Sequence, residues 1–160
     1  MNAGFLPLAL LCAALGLALA KTPINVAAIA ILALIFSSLL SFAVIPSAHW
    51  EAPATLALWI SAAITAGLAY VPRGINRFWV FLASINSGLW VGVAAHSGGG
   101  GGGMAAAWLL ALLILPSAWL LEKKLGVAIK VAASWIVAIS ILAFMVAISP
   151  VPGYAPDHME

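Results

Sequence analysis

Six apolar runs of about 18–22 residues succeed one another along this chain, joined by short polar connections. They occupy residues 3–20, 24–45, 54–71, 78–95, 104–121 and 127–148. At about 1.5 Å of rise per residue, such a run crosses roughly 30 Å of hydrocarbon as a helix. Water is absent there, so a spanning segment must satisfy its own backbone N–H and C=O groups. The expected fold is therefore all-α: a polytopic membrane protein with six transmembrane helices. Residues 1–149 form the bundle, and residues 150–160 form a tail. Composition points the same way. With 66% hydrophobic and 6% charged residues, the chain has too little polar surface to coat a soluble domain.

The first run needs a separate decision, because Ala18-Leu19-Ala20 reads like a signal-peptidase site. No basic residue precedes it, however, and the run is read as a transmembrane helix.

The basic residues set the expected orientation. Lys21 lies in the first connection, Arg73 and Arg77 in the third, and Lys123, Lys124 and Lys130 in or beside the fifth. These are all six Lys and Arg. Three of the four acids, Glu51, Asp157 and Glu160, lie on the opposite side. Under the positive-inside rule the odd connections are cytoplasmic. The runs then form three hairpins, and both termini face outward from an inner (plasma) membrane.

The fourth run, RFWVFLASINSGLWVGVAA, has two unlike faces at about 100° per residue. Ser84, Gly88 and Gly92 form a small-residue stripe, the pattern that lets membrane helices approach closely. Trp79, Asn86 and Trp90 fall on the other side. Asn86 is the one amide deep within any run, and an amide in hydrocarbon needs a partner or water. Two readings stand: both faces are packing faces, or the small stripe packs while the Trp/Asn face looks onto a cavity or pathway. Ser37 and Ser41, in line with Ala30 and Ala33 on the second run, form another packing stripe.

The usual catalytic and metal-binding motifs are absent: no HExxH, CxxC, GxxxxGK[ST] or GxSxG occurs. Cys12 stands alone in an apolar run and reads as a small packing residue. The expectation is a non-enzyme with no metal, no cofactor and no nucleic-acid partner. No Asp, Glu or Lys lies in midspan, which argues against a proton relay or an ion-coupled pump. A route for a neutral solute needs only donors, acceptors and a narrow bore. Gly98–Gly103 reads as a flexible outer loop. His49 and Glu51 share the outer loop HWE and His96 heads the next one, so these three are candidate sensors of external acidity.

The order of elements, with RFWVFLASINSG in the fourth run, resembles the amide-transporter and acid-gated urea-channel family. Asn25 after the first turn, AWLLALL in the fifth run and Ser134-Trp135 entering the sixth are similar to that family's motifs. The resemblance covers most of the chain and implies six spans with both termini outside. It also implies a pore, with Tyr70 matching, across a gap, a tyrosine at the end of the third helix. Three positions depart from the pattern. Ala111 and Leu115 stand where further tryptophans line a constriction, and Ser140 stands where the sixth helix carries a glutamate.

The expected function is a channel or facilitator for a small neutral polar solute, urea or a short amide. Tyr70, Trp79, Asn86, Trp90 and Ser140 are the candidate pore-lining residues. The alternative is a non-catalytic accessory or assembly subunit of a larger membrane complex. The expected partners are the lipid bilayer, the neutral solute, and either further copies of the chain or a membrane-complex subunit.

Overall fold

A computed structural model describes residues 5–45, 51–71, 75–96 and 100–149. The described residues form seven helices and no strand. They are α1 (Phe5–Leu19), α2 (Ile24–Val44), α3 (Glu51–Leu68), α4 (Arg77–Ala95), α5 (Gly100–Ala111), α6 (Ile114–Glu122) and α7 (Gly126–Ile148). The all-α expectation holds. The tail at 150–160, with His158, lies outside the described residues, as do His49 and Arg73.

The expected count of six spans is not reached by length. Among the described residues, four helices are long and apolar enough to cross a membrane: α2, α4, the Gly100–Glu122 segment that contains α5 and α6, and α7. The described part of α1 has 15 residues, and the searched part of α3, Pro53–Leu68, also falls below that length. Hydropathy counts apolar residues without showing where a helix ends. At the end of α1, Thr22 Oγ1 donates to the Leu19 carbonyl at 2.7 Å, and Pro23 opens α2, so α1 closes within a residue of the end of its apolar run.

Despite its length, α1 lies at the middle of the bundle, where it packs against α3, α4, α5, α6 and α7. Leu8, Leu11, Cys12 and Leu15 join one buried cluster, while Ala14 and Leu17 join a second one with α3 and α7. A helix surrounded by protein has no lipid-facing length to match. In lipid, such a core is held by close packing more than by expulsion of water.

The fifth run is broken. Pro116 has no N–H to donate, and its ring excludes the regular turn before it. At the break, Leu113 N bonds Leu110 O at 3.1 Å and Leu115 N bonds Leu112 O at 3.0 Å, the tighter three-residue pattern. Gly16 of α1 is pressed against this break. A Cβ there would sit 2.8 Å from the Ala111 carbonyl oxygen. The glycines read as a loop also behave differently, because residues 100–103 begin α5. Each costs about 1 kcal/mol relative to alanine in a helix interior, so tertiary contacts of α5 must hold this turn.

The basic connections converge at one end. Lys21 Nζ donates to the carbonyls of Ala69 and Val71 at 3.0 and 3.1 Å, capping α3 with a positive charge. Tyr70 Oη donates to the Lys130 carbonyl at 2.8 Å, tying the end of α3 to α7. At the turn between α6 and α7, Lys124 takes φ 59°, with Leu125 N bonded to Leu120 O at 2.9 Å. That is a Schellman closure with lysine in glycine's usual place.

Candidate functional site on helix α4

Helix α4 starts at its cap, where Asn76 Oδ1 accepts from Phe78 N at 3.4 Å. From there its two faces diverge as their side chains dictate. The small face is buried against α2. A Cβ at Gly88 would collide with Ser37 Oγ and the Leu34 carbonyl, and one at Gly92 with Ser41 Oγ and the Ser38 carbonyl. Ser84 is fully buried beside them and donates to its own Val80 carbonyl at 2.9 Å. The stripe on the second run is therefore the partner of the stripe on the fourth. Ser41 Oγ also lies 3.5 Å from the Gly88 carbonyl.

The other face of α4 borders a groove of about 540 Å³ shared with α3. Trp79, Ala83, Asn86 and Trp90 line it from α4, and Ser61 and Thr65 from α3. Asn86 sits at its polar centre. Its Nδ2 donates to Ser61 Oγ at 3.0 Å, and its Oδ1 accepts from Trp90 Nε1 at 3.2 Å. An indole N–H can only donate, so the amide oxygen must face Trp90, which fixes the direction of the whole chain. These two bonds use one N–H and one lone pair of the amide. One of each remains for a ligand.

The groove opens on the flank of the bundle. Its rim residues Ile60, Ile64 and Leu82 are all exposed, and Trp79 is 55% exposed. A second hollow of about 350 Å³ shares Leu68 and Trp79 with the groove and reaches Val71, Ile75 and Asn76 at the basic end. At the middle of the bundle, Leu8, Leu11 and Leu15 of α1 are fully buried among their neighbours.

Three of the five candidate pore residues, Trp79, Asn86 and Trp90, thus meet in one groove. The other two lie elsewhere. Tyr70 is taken up by its bond to Lys130, and Ser140 is fully buried on α7 with no hydrogen-bond partner for its hydroxyl. Of the candidate acid sensors, His49 is outside the described residues, and Glu51 opens α3 with its side chain undescribed. His96 ends α4, where its ring stacks on Phe42 at 4.4 Å and Nδ1 lies 3.3 Å from the Val93 carbonyl.

Ser61 is the site residue that sequence reasoning missed. A serine in an apolar helix commonly bonds back to its own helix, as Ser37 and Ser84 do here, and only the position of α4 makes it Asn86's partner. The bond from Trp108 Nε1 to Ser38 Oγ at 3.1 Å, which links α5 to α2, was hidden for the same reason. No protein-family model matches the chain, and no match is found among curated proteins or solved structures.

Proposed function

We propose that this chain is a six-span plasma-membrane protein that lets a small neutral polar solute, urea or a short amide, cross along the groove between α3 and α4. The observation that carries this reading is the Trp90–Asn86–Ser61 hydrogen-bond chain inside an otherwise apolar groove. Aromatic walls stack on a flat solute, and the spare N–H and lone pair of Asn86 hydrogen-bond it. Neither carries a charge that would hold an ion. In this reading α1 and α3 also cross, as short spans that the neighbouring helices cover or the bilayer thins to meet. The basic end faces the cytoplasm and both termini face outward. The resemblance to the amide-transporter and urea-channel family belongs to this proposal. With α1 at the middle of the bundle, the route is a flank route, unlike a central bore.

Stopped-flow light scattering on proteoliposomes tests conduction. Vesicles with inserted protein should equilibrate urea or acetamide faster than protein-free vesicles and carry no current. Asn86→Leu should slow that flux while the protein stays folded. Equal rates with and without protein would end the conduction reading. Orientation is checked separately by reporter insertion near Gly74, which should report cytoplasm; an outside signal there would reverse the topology.

The lateral opening of the groove favours a second reading, an accessory subunit whose α3–α4 face receives a helix of a larger complex. Absence of flux, together with co-purification of a stoichiometric membrane partner, would select it.

A further inference from the structure

The groove has a neighbour beyond its polar centre. It adjoins, at Leu68 and Trp79, the second hollow at the basic end of the bundle. Together the two make one furrow between α3 and α4. Its inner part is apolar apart from Ser61, Thr65 and Asn86, and its outer end reaches Asn76 and Val71. Two basic residues neighbour that outer end. Lys21 Nζ is held 3.1 Å from the Val71 carbonyl, and Arg77 follows Asn76 directly at the start of α4. Trp79, an amphipathic ring suited to headgroup depth, stands at the junction of the two hollows.

We infer that the furrow holds one acyl chain of an anionic phospholipid, with the lipid's phosphate at the Lys21–Arg77 end. The lateral opening decides the class of ligand. The exposed rim formed by Ile60, Ile64 and Leu82 faces the bilayer, where acyl chains are the species at high concentration. Charge complementarity decides the headgroup, because cations beside the membrane surface favour anionic lipid. The inference depends on the membrane reading and on nothing about conduction. A chain seated in the furrow would occupy the site that a solute needs, so bound lipid would act as a competitor of flux.

The test is lipid retention by the full-length chain, counted by native mass spectrometry after delipidation and exposure to phosphatidylglycerol or phosphatidylcholine. Wild type should retain one phosphatidylglycerol in preference to phosphatidylcholine. Arg77→Gln should lose at least a severalfold share of that preference. Ala83→Phe, which fills the groove from α4, should abolish retention. Ile64→Trp fills it from the exposed rim and disturbs no core contact, so it serves if Ala83→Phe fails to fold. Equal retention of the two lipids by wild type would overturn the proposal. So would undiminished retention in a folded groove-filling variant. The readout is independent of flux: a chain that conducts nothing can still retain the lipid, and one that conducts urea can fail to.

Discussion

On one side of α4, Gly88 and Gly92 bring the backbone so near α2 that no Cβ fits between them; on the other, Trp79, Asn86 and Trp90 hold α3 away and leave a groove of about 540 Å³. Both contacts lie on one helix, in one apolar sequence, and both use serine on the facing helix. The difference is side-chain size. Without a side chain, the α2–α4 seam gains dispersion contacts along the backbone itself. With indole rings, the α3–α4 contact touches at a few points and keeps open the space between them. A sealed seam and an open furrow can thus share a helix because the faces are separated by rotation alone.

That comparison can be broken most sharply at the seam. Gly88→Leu puts four heavy atoms where even a Cβ collides with Ser37 and the Leu34 carbonyl, so α2 and α4 must separate. The expected loss is about 3 kcal/mol or more, above the usual range for overpacking because backbone atoms cannot give way. Thermal unfolding in detergent checks it, and unchanged stability would mean that the two helices are not in contact.

The groove side should respond more mildly. Asn86→Leu keeps the volume but leaves Ser61 and the Trp90 indole without their partner. Interhelical hydrogen bonds in membranes contribute about 0.6–2 kcal/mol, so a loss of about 1 kcal/mol is expected. A loss as large as that of Gly88→Leu would show that the amide chain, rather than the glycine seam, holds α4 in place.

The rim should be nearly silent. Ile64 is 64% exposed at the edge of the groove, and Ile64→Val should change stability by less than about 0.5 kcal/mol in the same unfolding assay. A larger effect would mean that the rim is covered, which would favour the accessory-subunit reading.

Several of these features were legible in the sequence because they depend on local pattern. The two faces of α4 follow from helical periodicity, and the small stripe and the Trp/Asn stripe both appear where that period puts them. The fifth run, by contrast, reads as one span in the sequence, and Pro116 breaks it through its missing N–H. The gathering of Lys21, Tyr70 and Lys130 at one end agrees with the one-sided placement of the basic residues. Tyr70 and Ser140 show the limit. Each is a pore candidate through a resemblance, and neither lines the groove: Tyr70 bonds the Lys130 carbonyl, and Ser140 is buried on α7.

The sequence by itself determined an apolar, all-helical chain, because runs this hydrophobic must satisfy their own backbone wherever water is excluded. It also determined which residues of α4 share a face, because 3.6 residues per turn is a property of the helix alone. The tertiary structure decided which stripe meets which, since the Ser37/Ser41 stripe and the Gly88/Gly92 stripe carry no mark of their pairing. It also decided that α1 lies at the bundle's centre and that Ser61 turns to Asn86. These depend on how helices are placed relative to one another, and that placement is set by the summed fit of many side chains, which no single run encodes.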